Sequence, residues 1–514
     1  MMRSTGHTDR IVIIGGGISG LSSAFYLMRQ AQEQGRPIKV TIVEAADSLG
    51  GKINTLRRDG FVIEKGPDSF LARKLPIIEL TRELGLENEL AATNPAAKKT
   101  YILNRGKLHP MPPGLVLGIP TEIMPFAKSN LLSVKGKLRA LLDFVLPKRL
   151  GTDDESIGGF LERRVGTEVM ERVAEPLLAG IYAGELRKLS LRATFPQFRE
   201  AELKHGSLIR GMRANRKAGT AAQSRMPAVA KNSVFLTYRN GLSTLVDALD
   251  KTLADVDRRM GTKVKAIYRV EEAVERISGV IAQPQAEAQA GKKPGGIADM
   301  QPEATPRYMI ELDSGEQLAA EAIIMTAPAF SAAELISPHM DASELEAIRY
   351  VSVANVVLAF DKATFGLEFD GSGFVVPRTE GRHITACTWT SAKWLHSSPG
   401  DKVLLRCYVG RSGDEESVSL PDEQLKALVC KDIEEIMGIT AEPLFVEITR
   451  LHRSMPQYPV GHVENMARLR QRAAEKLPCV WITGAAFDGV GLPDCVRQGK
   501  EAAKQTLHNL TYCE

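Results

Sequence analysis

The stretch Arg10-Ile-Val-Ile-Ile-Gly-Gly-Gly-Ile-Ser-Gly-Leu21, with Lys39-Val-Thr-Ile-Val-Glu44 after it, decides how this chain folds. Ile11, Val12, Ile13 and Ile14 are continuously apolar and β-branched, the pattern of a strand buried on both faces. Gly15, Gly16, Gly17, Ile18, Ser19 and Gly20 then form a GxGxxG turn. Its first glycine permits a tight turn, its second lets backbone approach a pyrophosphate, and its third allows close helix packing. Residues 21–31 read as the helix whose unpaired N-terminal amides face the phosphates. Residues 39–43 read as the next strand, and Glu44 at its end is placed to accept the ribose hydroxyls of an adenosine. A dinucleotide site follows from the unit as a whole, but this spacing alone does not choose between NAD and FAD.

Moving outward, Gly50 and Gly51 keep Cβ atoms away from whatever crosses them, and Lys52 is free to reach a phosphate. Gly66, Pro67, Asp68 and Ser69 end a short strand in a turn whose backbone can approach a flat ring. Taken separately, each is equally readable as an ordinary loop. Far along the chain, the apolar run 480–483 leads into Gly484 and then Gly489, Val490 and Gly491, with a helix predicted over 495–510. Thr326, Ala327 and Pro328 end another apolar run, which suggests a return to the nucleotide domain. A cofactor served by both ends of the chain is long, so FAD fits better than NAD.

Between these ends, residues 131–146 carry a helical apolar stripe through Leu131, Leu132, Val134, Leu138, Leu141, Leu142 and Val145. Core packing is the simpler account of it, and lipid contact the alternative. Helix is predicted to continue over 154–178. The run 203–232 holds Lys204, Arg210, Arg213, Arg216, Lys217, Arg225 and Lys231 with no acid, either a solvated face or a mobile basic rim for an anionic substrate. Residues 283–306, with four prolines and three glycines, read as a disordered surface insertion. Strands are predicted over 351–360, 373–376, 383–389 and 403–409, and a helix over 421–437.

The 514 residues exceed one domain, and 44% hydrophobic with 25% charged residues is ordinary globular composition. A net charge of +4 offers no general case for nucleic acid or membrane partners. Six cysteines, none before Cys387 and none in a CxxC pair, exclude a disulfide scaffold and favour a reducing, cytoplasmic setting. The polar start carries no secretory signal, and no integral membrane segment is expected. The nine histidines form no HExxH or other metal-ligand spacing, so no metal is expected. His452 and His462 lie near the closing glycines, where packing is the simpler role and proton transfer the alternative.

Five strings together resemble the FAD-dependent protoporphyrinogen and coproporphyrinogen III oxidases of the amine oxidase and phytoene desaturase superfamily. They are GGGISGL (15–21), EKGPDSFLARK (64–74), GIYAGELRKLSLRATFP (180–196), MPQYPVGH (455–462) and GAAFDGVGLPDCVRQG (484–499). The resemblance spans nearly the whole chain and is strongest to the soluble Gram-positive bacterial type. It implies an α/β class (α+β overall): a Rossmann-like FAD-binding domain, an antiparallel-sheet substrate domain and an inserted helical domain. The expected segments are 1–95, 235–330 and 445–514 for FAD, 96–125 and 331–444 for substrate, and 126–234 for the helical part.

By the same resemblance, Gly15 to Gly20 would hold the pyrophosphate, Glu44 and Ala45 the adenosine ribose, and Val264 the adenine. Gly51, Lys52, Gly66, Pro67, Asp68 and Ser69 would line the flavin side. Thr326, Ala327 and Pro328, then Gly484, Gly489, Val490 and Gly491, would complete the FAD contacts. The implied reaction oxidises coproporphyrinogen III with dioxygen, six electrons leaving in three two-electron rounds with hydrogen peroxide as by-product. Protoporphyrinogen IX oxidation, amine oxidation or desaturation, and low-turnover porphyrin binding are the alternatives.

No side-chain base stands out. Lys74 is the first candidate for a substrate carboxylate, with a structural ion pair as its alternative; Arg187, Arg450 and Arg453 follow. Ile181 and Phe374 are expected against the macrocycle. Membrane-bound relatives carry an arginine where this chain has Thr100, which favours the bacterial substrate. The helical domain binds membrane in those relatives, but peripheral contact is not predicted here. Transient contact with haem-pathway enzymes is a further expectation.

Overall fold

The computed structural model describes residues 8–218, 227, 229, 231, 233–271 and 306–512. The predicted insertion over 283–306 thus lies almost wholly outside the described residues, as does Arg225 of the basic run.

Strand Asp9–Ile14 is the centre of a five-stranded parallel sheet. Ile38–Val43 and then Asp257–Arg259 flank it on one side, Ala322–Met325 and then Val480–Ile482 on the other. Its side chains divide as a two-faced strand requires. Ile11 and Ile13 enter one core with helices Ile18–Glu33 and Leu492–Tyr512. Val12 and Ile14 enter the other, with helices Ala329–Ile336 and His462–Lys476. Each fully buried isoleucine contributes roughly 1.5–3 kcal/mol.

A seven-stranded sheet forms the second body. Its order is Phe445–Pro456, Tyr350–Asp361, Lys402–Val409, Ile384–Trp389, Gly371–Val375, Lys99–Asn104 and Lys107–Pro110. All pairs are antiparallel except Gly371–Val375 with Lys99–Asn104, which run parallel. The Phe445–Pro456 strand was not anticipated, although Val446 and Ile448 alternating with Glu447 and Thr449 carry the signal. The stretch 317–325 divides between two sheets: Gln317–Ala320 stays in a hairpin, and Ala322–Met325 joins the parallel sheet.

Two helical expectations are corrected. Gly166, at φ +89°, ends helix Ile157–Val165 and breaks the run predicted over 154–178. The stripe over 131–146 shortens to helix Val134–Leu141 with a following 3-10 turn, and half of it faces outward. Leu131 and Leu132 are buried, but Val134 is 72% and Val145 77% exposed, and Leu138 and Leu142 are exposed as well. Core packing therefore accounts for only part of this stripe. No described helix is long and apolar enough to cross a membrane.

Candidate active site

The turn after the first strand is closed by absent side chains. A Cβ on Gly20 would lie 1.9 Å from the Gly15 carbonyl oxygen, and one on Gly15, at φ +107°, 2.6 Å from Thr326 Oγ1. Glu44 locks the same turn: its carboxylate accepts from Gly16 N at 2.6 Å and from Ala46 N at 2.8 Å. Helix Ile18–Glu33 begins there without a side-chain cap and with no acid in its first turn, leaving its amides for an anion.

A cavity of about 1020 Å³ runs from this turn to the seven-stranded sheet and the helix Glu175–Tyr182. At one end Gly15, Gly17, Ile18, Ser19, Glu44 and Ala45 line it. Gly51, Lys52, Val264, Thr326, Ala327 and Pro328 continue the wall. Gly66, Pro67, Asp68 and Ser69 lie farther on, with Val490 and Gly491 from the closing segment. Gly16, Gly20, Gly484 and Gly489 stand behind this lining rather than in it. Their positions have steric reasons: Gly484 (φ +120°) and Gly489 (φ +113°) take a backbone conformation that side chains disfavour.

Charges in the cradle are held firmly. Burial pushes the Asp68 carboxyl upward, but the Lys393 and Arg406 cations outweigh this and hold it well below the usual carboxylate range. Lys393 Nζ stands 3.0 Å from Asp68. Burial lowers the Lys52 ammonium, whose Nζ donates to the Ser454 carbonyl. The closing loop is fastened from behind. Tyr458 Oη donates to the Ala485 carbonyl at 2.5 Å and accepts from Gly489 N at 3.1 Å. Its ring stacks on His462 at 4.2 Å, and His462 Nε2 bonds the Phe487 carbonyl. His462 is thus a packed histidine outside the cavity lining, and His452 is an exposed residue of the edge strand.

The substrate-side candidates separate sharply. Ile181 and Arg453 line the cavity, Arg453 at φ +43° with its guanidinium 3.8 Å over the Phe330 ring. Lys74 does not line it; its ammonium meets Asp494 at 2.6 Å, the ion-pair alternative. Arg187 is turned to Glu162 and Glu171, and Arg450 to Asp422 at 2.6 Å and the Val418 carbonyl. Phe374 is buried in the sheet core beside Trp389. Lys74, Arg187, Arg450 and Phe374 thus correct the expectation of pocket contact: local charge pairing and the inward face of a strand claim the side chains first. Arg378 and Arg411, missed in the sequence, do line the cavity. Their only local signal was a cation just beyond a strand end. Among the described residues no group of three or more His, Cys, Asp or Glu is arranged to hold a metal.

The profile of the flavin containing amine oxidoreductase family matches residues 18–288 and 297–507. The coproporphyrinogen III oxidase of Bacillus subtilis (strain 168) is 44% identical over 97% of both chains. That of Staphylococcus aureus is 35% identical, over 98% of this chain and all of the other. The chain belongs to the flavin-containing amine oxidoreductases. Within that family it is of the coproporphyrinogen and protoporphyrinogen oxidase type. A solved structure from Exiguobacterium sp. 255-15 is 35% identical, with a TM-score of 0.81 over 99% of this chain and all of that one. Cyclohexylamine oxidase from Brevibacterium oxydans shares the fold at 14% identity, TM-score 0.65, over 98% of this chain and 99% of the other. This oxidoreductase is FAD-dependent, and the cradle fits the dinucleotide: a side-chain-free turn, an uncapped helix start and the Lys52 cation along one elongated cavity.

Proposed function

We propose that this flavoenzyme oxidises coproporphyrinogen III to coproporphyrin III with dioxygen, in the cytoplasm. The observation that carries the reading is near-full-length similarity to two coproporphyrinogen III oxidases, coupled to one cavity that extends well past the glycine turn. The cysteine usage, with none before Cys387 and no CxxC pair, suits a reducing compartment. Three lobes serve the reaction: the parallel-sheet FAD lobe, the seven-stranded substrate lobe, and the helical lobe that closes one wall.

Gly15, Gly17, Ser19 and the first amides of the helix would hold the pyrophosphate, with Glu44 and Ala45 at the adenosine ribose and Val264 at the adenine. Lys52, the 66–69 turn, Val490 and Gly491 would border the flavin. FAD, when bound, supplies the two-electron acceptor that no side chain can provide. The chain's own task is to seat the macrocycle on apolar wall such as Ile181, Val353 and Val376, with cations at its carboxylates. Asp68 and Glu175, two acids of this wall, are paired with Lys393 and Arg378, which supports orientation rather than strong base catalysis.

The test is a product assay in air with coproporphyrinogen III and protoporphyrinogen IX, following porphyrin fluorescence and peroxide together. About three peroxides per coproporphyrin are expected from the two-electron stoichiometry. Peroxide formation with amines only, or porphyrin binding without flavin reduction, overturns the proposal.

A further inference from the structure

Two arginines meet where the seven-stranded sheet abuts the helical wall of the cavity, and they are not equivalent. Arg378 is fully engaged. Its Nε pairs with Glu175 at 2.5 Å, Nη1 donates to the Ser412 carbonyl at 3.0 Å, and Nη2 to the Gly184 carbonyl at 3.2 Å. It thereby ties the end of helix Glu175–Tyr182 to the 410–412 segment, a junction completed by Ser412 N donating to the Ala183 carbonyl at 2.7 Å.

Arg411 follows Gly410, whose φ of +91° turns the chain at the end of strand Lys402–Val409. Its side chain is only 11% exposed, and its one ion pair is a 3.3 Å contact from Nε to Asp414, itself 44% exposed. The Nη1 and Nη2 atoms bond no described residue, and Arg411 lines the cavity. Burial, then the Arg378 charge, lowers the Arg411 guanidinium from its ordinary value, so this site lacks compensating negative charge. Glu175 and Asp414 offset the shift only in part, Glu175 being paired with Arg378 and Asp414 shared with solvent.

The geometry points to Arg411 as a carboxylate-binding subsite of the cavity, with Arg378 the positioning residue that sets its wall. A guanidinium whose Nη1–Nη2 edge is free matches a carboxylate fork, and burial strengthens such a pair. The ligand class is an anionic side arm on a largely apolar ring. Ile181, 44% exposed, lines the same cavity and offers apolar surface for the ring. This inference rests on the porphyrinogen reading and assigns one of its carboxylate contacts.

The test measures binding to the FAD-loaded protein of coproporphyrin III and of its tetramethyl ester, by quenching of porphyrin fluorescence. Arg411→Gln is expected to weaken the acid by ~10- to 100-fold, leave the ester unchanged, and flatten the salt dependence of acid binding. Arg411→Lys should recover part of the loss, as a charge without the fork. Unaltered acid binding in Arg411→Gln, or equal loss for acid and ester, overturns the subsite. Should Arg411→Gln not fold, Asp414→Asn decides: tighter acid binding supports the assignment, and unchanged or weaker binding rejects it. Wild-type protein that neither binds coproporphyrin III nor oxidises coproporphyrinogen III would instead refute the porphyrinogen reading itself.

Discussion

At Gly20 a single methyl group would stand 1.9 Å from a carbonyl oxygen of the turn it supports. The obstacle is backbone, so no rotamer relieves it. Gly20→Ala should cost ~1–3 kcal/mol of stability and leave a protein that elutes without flavin, read from the visible absorbance of the purified protein. Asp68 makes the complementary case. Asp68→Asn removes the one charge shared by Lys393 and Arg406 and should destabilise by about 3 kcal/mol, toward the lower end for broken buried pairs because solvent reaches Asp68 and Lys393. A denaturant midpoint equal to that of the wild type would refute this account. Residue identity alone was a poor guide to such roles. Arg187, Arg450 and Arg411 are all arginines in plausible segments, but only the last reaches the cavity. The first two are consumed by acids brought near them by folding.

The closing segment shows the logic at the level of elements. The turn between strand Phe445–Pro456 and helix His462–Lys476 supplies Tyr458 and His462, which hold three backbone groups of the 484–491 loop. Burial lowers the His462 imidazole below its ordinary value, with the Phe487 carbonyl and Asp488 opposing and Arg470 reinforcing that shift. The folded state thus prefers the neutral ring. Its contribution is complete above about pH 6.5, the unfolded value, and is lost as pH falls through the lower folded one. Melting temperature and flavin retention should therefore drop as pH falls below about 6.5, with a shallower drop in His462→Gln; parallel slopes in the two proteins would count against His462 as the cause. In the stripe over 131–146, by contrast, periodicity correctly announced a helix, but not that Val134 and Leu138 would lack a partner.

For the molecule as a whole, the parallel sheet draws strands from residues 9–14, 38–43, 257–259, 322–325 and 480–482. The cavity runs along their ends, so FAD would join segments distant in sequence. Removing the cofactor should lower the melting temperature, and restoring it at about a thousand times its dissociation constant should return ~4 kcal/mol. An apoprotein melting at the holoprotein temperature would show that the cradle stands without its ligand.

What the sequence determined by itself is whatever depends on neighbours along the chain. The opening strand-turn-helix unit is of this kind, because steric exclusion at glycines and two-faced burial of β-branched residues act within a few residues. So is the expectation of a dinucleotide, whereas preferring FAD to NAD needed the glycine turns at both ends of the chain read together. Packing between distant segments settled which cations face the cavity, which apolar face stays exposed, and which histidine packs behind a loop. Those outcomes depend on charges and surfaces contributed by segments up to hundreds of residues away, and no local pattern records which of several equivalent partners will arrive first.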